Sequence, residues 1–231
     1  MGIKSNRVLA SYYNRFIATG SDASLAGGIT YTEATGGIIN DWTDNGKYYR
    51  CHTFLSSGTF DVTEVGSDDT IEYLVVAGGG GGSQWGNNYA GGGGGAGGLK
   101  TNLSGHPLAG AAYPITVRSY TATVGGGGYA GQRGGPASPF PAHTYGGWGG
   151  NSEFGAYAPT PIVSNGGGGG APGNPTGEPG GAGGSGGGGA ANSSSNGGDG
   201  NTPDPGSIPQ GNPGGPGYNS NPWNGGGGGG A

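Results

Sequence analysis

Apolar residues near the start of the chain recur with the period of an amphipathic helix. Six of them fall four to five positions apart, which places them on one stripe of a helix. Ser5 or Asn6 can cap this helix and Gly20 can end it. The stripe consists of Val8, Leu9, Tyr12, Tyr13, Phe16 and Ile17. The pattern therefore predicts a short N-terminal helix within a docking segment, residues 1–27.

The predicted helix needs a surface on which to dock, because a single short amphipathic helix is only marginally stable in water. Two surfaces are open at this point. One is the chain's own first domain. The other is a larger assembly, to which the helix attaches the protein as a plug. In the second case the six stripe residues contact other proteins of that assembly.

Residues 28–77 show the two-residue alternation of β-strands. Residues 48–54 and 59–65 are rich in β-branched and aromatic side chains, and the Ser-Ser-Gly between them suits a hairpin turn. Residues 71–77 are apolar enough for a central strand that is buried on both faces near its end. These residues predict a small antiparallel β domain.

Seven glycine runs occupy residues 78–231, beginning at Gly78, Gly91, Gly125, Gly146, Gly166, Gly180 and Gly225. Their spacing is irregular, and the Gly-X-Y period of collagen is absent. Residues 113–117 and 120–124 predict an inserted strand pair, or one bent strand, near 113–124. This insertion leads into the third run, just as the strand before Gly78 leads into the first. The sequence therefore predicts a sheet that continues into a glycine-rich bundle.

The chain holds 65 glycines in 231 residues, so it is either a flexible coil or a bundle of closely packed backbones. Aromatic residues punctuate the runs, whereas disordered linkers contain few, and this favours the bundle. An extended left-handed helix of the polyglycine II type directs every N–H and C=O outward, and only glycine allows neighbours to approach on all sides. The predicted fold class is mostly β and irregular, with a bundle of such helices.

The charge and the reactive residues argue against several function classes. A net charge of −5 with eight Lys and Arg disfavours nucleic-acid binding. The single cysteine, Cys51, stands beside His52, and neighbours on a strand point to opposite faces, so we expect no metal and no cofactor. No helix follows the GxGxxG pattern before Arg133, which disfavours phosphate binding. We expect no enzyme activity and no membrane insertion.

Aromatic residues in the loops beside the glycine runs are candidates for receptor contact, because their rings can stack on a sugar or anchor an interface. The same rings can instead cover the bundle and exclude water from its hydrogen bonds. The sequence leaves both roles open. The candidates are Trp85, Tyr89, Tyr145, Trp148, Tyr157 and Trp223.

Four stretches carry a resemblance: DTIEYLVVAGGGGGS at 69–83, GGGGGAGGLK at 91–100, YPITV at 113–117 and TVGGGG at 123–128. They resemble the glycine-rich domain of bacteriophage virion proteins, and those of phages of marine bacteria and cyanobacteria are the most similar. The opening, MGIKSNRVLASYYNRF, is similar to the N-terminal segment of such proteins. The resemblance covers about the first 130 residues.

The resemblance implies a virion structural protein of the tail-fibre or fibre-tip adhesin type. It implies attachment to other virion proteins through the N-terminal segment, a host surface glycan or protein as receptor, and a homo-oligomer, with a trimer as the usual arrangement for fibres. The expected location is the virion, outside the cell. Two alternatives stay open: a fibre or particle-surface decoration protein without receptor binding, and an extracellular ice-binding or matrix protein.

Overall fold

The computed structural model describes residues 2–8, 31–44, 47–84, 90–132, 144–155, 161–173, 177–191, 195–202, 209–219 and 223–231. Within these ranges the chain forms strands and irregular segments and no helix, which confirms the mostly β and irregular class with small antiparallel sheets. Val8 is the last residue of the first strand. The rest of the predicted helix stripe, from Leu9 to Ile17, lies outside the described residues.

Eleven strands are present in the described residues, and every strand pair is antiparallel. They are β1 (Gly2–Val8), β2 (Glu33–Thr35), β3 (Ile38–Asp44), β4 (Lys47–Thr53), β5 (Gly58–Glu64), β6 (Thr70–Val76), β7 (Leu99–Thr101), β8 (Tyr113–Pro114), β9 (Arg118–Thr123), β10 (Ser152–Phe154) and β11 (Ile162–Ser164). The first sheet has the order β3-β4-β1-β6-β7, with β8 also paired to β6. The second has the order β11-β10-β9-β5-β2.

The buried side chains of the two sheets form one hydrophobic cluster. Phe154 lies at its centre: its ring stacks on Tyr120 at 5.5 Å between centroids and meets Tyr113 edge-on at 5.4 Å. The cluster comprises Ala34, Phe54, Phe60, Val62, Ile71, Val75, Tyr113, Ile115, Tyr120, Ala122, Phe154 and Ile162. Strands from both sides of residue 77 contribute to it, so the first part of the chain and the glycine-rich part share this core.

His52 fixes one end of this core without taking on charge. Its ring is fully buried and meets Phe60 edge-on at 5.0 Å. Nδ1 lies 2.8 Å from the carbonyl oxygen of Gly36, and since a carbonyl only accepts, Nδ1 carries the proton. Burial lowers the pKa of His52. Gly36 has a φ of 106°, and a Cβ there would lie 1.9 Å from the Thr59 oxygen, so this turn requires glycine.

The hairpin predicted between residues 48–54 and 59–65 is wrong, although both strands exist as β4 and β5. They lie in different sheets, because β1 and β3 already occupy the two edges of β4. Phe54, only 3% exposed, enters the core where the chain crosses from one sheet to the other. The Ser-Ser-Gly sequence therefore belongs to a connection between sheets.

β6 is a central strand, as predicted, since it lies between β1 and β7. Burial on both of its faces is wrong: Leu74 and Val76 are 42% and 40% exposed, while Ile71 and Val75 point into the core. The reason is that the second sheet covers only one face of the first. The segments near 113–124 form β8 and β9, which pair with β6 and with β5 and β10 rather than with each other.

Ten irregular segments hold the described residues of the glycine runs. They are segment 1 (77–84), segment 2 (90–98), segment 3 (124–132), segment 4 (144–151), segment 5 (165–173), segment 6 (177–183), segment 7 (184–191), segment 8 (195–202), segment 9 (209–217) and segment 10 (223–231). Segments 1, 3 and 5 continue strands β6, β9 and β11, and segments 2 and 4 lead back into β7 and β10. The chain runs away from the sheets in odd-numbered segments and returns in even-numbered ones.

Hydrogen bonds between these segments repeat every third residue. Three N–H groups of segment 2 donate to segment 5 at 2.8–2.9 Å: Gly92 to Ala171, Gly95 to Gly168 and Gly98 to Asn165. The next residues along, Gly93 and Ala96, donate to segment 10 at 2.9 Å, in the parallel sense. Successive residues therefore direct their hydrogen bonds to different neighbours around the segment axis.

Segment 7 shows how far this pattern extends, since it bonds to six other segments. Its N–H groups donate to segment 5 (Gly184 to Gly166), segment 9 (Gly186 to Asn212), segment 6 (Gly187 to Gly181) and segment 2 (Gly188 to Gly93). Its carbonyl oxygens accept from segment 8 (Gly198 to Gly187) and segment 10 (Gly226 to Gly189), and all six bonds measure 2.7–2.9 Å. All eight of its residues are buried. Segment 7 is thus a fully surrounded backbone at the centre of the bundle.

Close approach makes glycine necessary inside the bundle, whereas some surface positions have room for a side chain. A Cβ added at Gly168 would lie 1.9 Å from the Gly181 oxygen, and one at Gly188 would lie 1.9 Å from the Gly226 oxygen. Such distances are far inside van der Waals contact. At Gly126 and Gly227, by contrast, a Cβ would meet nothing within 4 Å. The requirement for glycine therefore follows position in the bundle.

We expect Gly168→Ala to destabilise the protein by about 1–3 kcal/mol, because the new methyl group forces segments 5 and 6 apart. The matched variant Gly227→Ala should change stability by less than about 0.5 kcal/mol. Denaturant unfolding of both variants measures the difference. Equal effects would show that the segments do not pack this closely in solution.

Candidate contact surface on the glycine segments

Three of the six predicted contact residues fall within the described part of the chain: Tyr145, Trp148 and Trp223. Tyr145 and Trp148 both lie on segment 4, and their ring centroids are 5.7 Å apart at an interplanar angle of 33°. The glycine pair between them adds no side chain that would separate the two rings. Trp85, Tyr89 and Tyr157 lie outside the described residues.

Trp148 is anchored to a neighbouring segment while half of it faces solvent. Its Nε1 donates to the carbonyl oxygen of Ala182 at 2.9 Å. A Cβ on Gly181 would lie 2.8 Å from the indole ring, so the ring lies directly over segment 6. The residue is nevertheless 52% exposed. One side of Trp148 thus shields backbone hydrogen bonds and the other is available for contact.

Tyr145 is held by a carboxylate on the same neighbouring segment. Its hydroxyl donates to Oε2 of Glu178 at 3.4 Å. Burial, and then the negative charge of Glu178, raise the pKa of Tyr145. The phenol therefore remains protonated at neutral pH and serves as the donor in this contact.

Tyr129 extends the same surface and was not among the predicted contact residues. It is 71% exposed, and a Cβ on Gly147 would lie 2.6 Å from its ring. Its carbonyl oxygen accepts from the N–H of Gly147 at 2.7 Å. We call Tyr129, Tyr145 and Trp148 the flank patch. The sequence does contain a feature that could have identified Tyr129: it directly follows the glycine run at Gly125, just as Tyr145 directly precedes the run at Gly146.

A second aromatic pair lies at the turn between segments 9 and 10. The N–H of Tyr218 donates to the carbonyl oxygen of Asn224 at 2.8 Å, which closes this turn. Tyr218 and Trp223 are 62% and 39% exposed. The structure thus places Trp223 at a bundle end, apart in sequence from the flank patch.

The side chains on these surfaces are suited to non-covalent binding. The flank patch offers two phenols, one indole and the Glu178 carboxylate, which suit stacking and hydrogen bonding. In the described ranges no group of three or more His, Cys, Asp or Glu residues is arranged to hold a metal ion. The described residues also contain no helix of the length and apolarity that a membrane crossing requires.

We expect Trp148→Ala to lower the free energy of unfolding by about 2 kcal/mol, because it removes a half-buried ring and a hydrogen bond. Tyr129→Ala should cost less than about 1 kcal/mol, since most of that ring already faces water. Chemical denaturation of the two variants provides the comparison. If Trp148→Ala unfolds like the wild type, Trp148 does not cover the bundle.

The comparisons with known proteins agree with the composition. The family model described as a glycine-rich domain matches residues 55–231, which is more than half of the chain. No curated protein and no solved structure matches. The matched region begins within the connection between β4 and β5 and includes all ten glycine segments. The chain belongs to the glycine-rich domain family.

Proposed function

We propose that this protein is a non-enzymatic virion structural protein of the phage tail-fibre or fibre-tip type, which contributes to host attachment. Its glycine bundle serves as a rigid spacer between an attachment segment and a receptor-contacting end. The proposal draws on the resemblance to phage virion proteins in residues 69–128 and at the N-terminus. Its structural support comes from the arrangement of the bundle and the sheets.

We further propose that the glycine segments are extended left-handed helices of the polyglycine II type. Such a helix has three residues per turn, and the hydrogen bonds repeat every third residue. Glycine adopts positive and negative φ about equally readily, so a single hand has to be imposed by packing. Among the described residues of the ten segments, only Gly177 (66°) and Asn201 (58°) have a positive φ, and each lies at or next to an end of its segment. This uniformity supports a single, left-handed form.

Val8 and Thr32, which lie on either side of residues 9–30 in the sequence, are both at the end of the sheets remote from the bundle. β1 runs antiparallel to β6, with Lys4 opposite Glu72, so Val8 lies towards the start of β6. Thr32 lies at the same end, because its hydroxyl accepts from the N–H of Gly66 at 3.1 Å, four residues before β6. β6 enters the bundle from its opposite end. The predicted docking residues Leu9 to Ile17 therefore connect to the described structure at this end of the sheets.

Three of the six contact candidates belong in sequence to the end of the bundle away from the sheets, which we call the distal end. The connections after segments 1, 3, 5, 7 and 9 all join a segment that runs away from the sheets to one that returns. Trp85 and Tyr89 fall in the first of these connections, and Trp223 begins the segment after the last. Because each residue spans at most about 3.6 Å, a short connection cannot reach far from the two segment ends that it joins. The observation that carries the proposal is that the described residues flanking these two regions lie at opposite ends, with Val8 and Thr32 at one end and Gln84 and Trp223 at the other.

The proposed partners follow from this polarity. Other virion proteins bind residues 9–30, and a host surface glycan or protein binds the distal end. We propose a location on the virion, outside the cell, and assembly as a homo-oligomer such as a trimer, without nucleic-acid binding or membrane insertion. A decoration protein without receptor binding is the second candidate, favoured by the hydrogen bonds that hold Tyr145 and Trp148 on the bundle.

The test changes each end of the protein in a separate variant. Both variants keep β1, because it lies between β4 and β6 and is needed for the first sheet. Residues 10–29 are replaced by a short Gly-Ser linker in one phage variant, and Trp85 and Tyr89 are changed to Ala in another. We expect the first variant to be lost from particles, because its attachment segment is missing. The second should be incorporated fully but adsorb to the host at least tenfold less.

Particle content is measured by mass spectrometry and adsorption by counting free phage. Normal incorporation of the linker variant would contradict attachment through residues 9–30. Unchanged adsorption of the Trp85 and Tyr89 variant would favour the decoration protein. Circular dichroism of both purified proteins serves as the folding control.

A further inference from the structure

A cleft of about 220 Å³ opens at the edge of the two sheets, away from the flank patch. Its walls come from β6 and β7, from the loop after β7, and from the start of β11. The residues that shape it are Tyr73, Lys100, Thr101, Leu108, Ala111 and Ile162. The lining residues that the structure describes include none of the predicted contact residues and none of the ten glycine segments.

The loop that forms one wall is held in place by side-chain hydrogen bonds to β6. Asn102 makes two of them: Nδ2 donates to the Ile71 oxygen at 2.8 Å, and Oδ1 accepts from the Tyr73 N–H at 2.8 Å. The Thr101 hydroxyl donates to the Tyr73 oxygen at 2.8 Å. The N–H of Gly110 then donates to the Thr101 oxygen at 2.8 Å. The cleft is therefore preformed, which lowers the entropy cost of binding.

Lys100 is the one charged residue among the described residues that line the cleft. On β7 it lies opposite Val75, whose side chain points into the core, so Lys100 is on the inner face of the sheet. Its ammonium group is a donor only and attracts an anion. Burial raises the pKa of Tyr73, so its phenol stays neutral and can donate or accept.

The other walls are mainly apolar, with Leu108, Pro161 and Ile162 facing the same space. A small inorganic anion would leave these walls in contact with water. The cleft volume is about 220 Å³. It is below the range of roughly 300–1,000 Å³ that drug-sized ligands occupy, so it fits a single ring. The ligand should combine a carboxylate, a few hydroxyl groups and an apolar face.

We propose that this cleft binds one monosaccharide unit that carries a carboxylate, such as a uronic or sialic acid. Lys100 pairs with the carboxylate, the Tyr73 hydroxyl bonds a sugar hydroxyl, and Leu108 and Ile162 contact the apolar side of the ring. The site lies at the sheets and does not depend on receptor contact at the distal end of the bundle.

In the experiment the full chain is titrated with D-glucuronate and, separately, with N-acetylneuraminate. Calorimetry and NMR measure the binding. We expect a dissociation constant on the order of 1 mM for at least one of the two acids. Lys100→Met should weaken binding at least about tenfold, because a charge-assisted bond is lost. Arg118→Gln removes one cation from β9, outside the cleft, and should change the affinity less than about twofold. Ala111→Leu, which fills the cleft, should also reduce binding.

D-glucose and acetate are the ligand controls, and both should bind at least about tenfold more weakly than the acid sugar. Equally tight binding of glucose would show that the carboxylate does not contribute to recognition, and would overturn the proposal. Equal binding of acetate would reduce the cleft to a simple anion site and overturn it as well. Failure of both acid sugars to bind, or full binding by a folded Lys100→Met variant, would have the same consequence. Thermal melts establish that each variant is folded.

Discussion

Hydrogen bonding between glycine backbones is the interaction on which the rest of this structure depends. Each extended segment directs its N–H and C=O groups outward, so the groups of a buried segment need partners on neighbouring backbones. Gly187 illustrates the arrangement: it donates to Gly181, accepts from Gly198, and is fully surrounded. The segments approach so closely that a Cβ at Gly168 or Gly188 would overlap a neighbouring carbonyl. Glycine is thus the residue that permits the bonds, although ordering it costs more backbone entropy than ordering any other residue.

The two sheets give the bundle a fixed starting geometry. Five glycine segments are direct continuations of strands, so the register of β6 with β7 and of β9 with β10 also sets the register of the segments that follow. Gln210 joins later segments to this base: its side-chain oxygen accepts from the Asn165 N–H at 2.8 Å, and its carbonyl accepts from the Leu99 N–H at 2.8 Å. A sandwich with an aromatic core around Phe154 thereby organises backbones that have almost no side chains of their own.

The sequence predicted the kinds of element better than their pairing. Alternation identified β4, β5 and β6 because a half-buried strand leaves a local two-residue signature. It could not show that β4 and β5 belong to different sheets, since that depends on β1, a distant segment that lies beside β4. Glycine composition indicated a packed bundle, but the run at Gly180 gave no sign that it turns at residues 183–185 and forms two segments. The exposure of Tyr129 was not predicted for a related reason, because it follows from where segment 3 lies in the bundle.

Hydrogen exchange of the glycine amides tests the central claim most directly. In a packed bundle, the amides of Gly167 and Gly187, which donate to neighbouring segments at 2.9 Å and 2.8 Å, should exchange only through large-scale opening. The amides of Gly126 and Gly227, on exposed faces, should exchange orders of magnitude faster. Rapid and uniform exchange throughout residues 78–231 would contradict the account, because it would mean that the glycine segments do not hold one another in place.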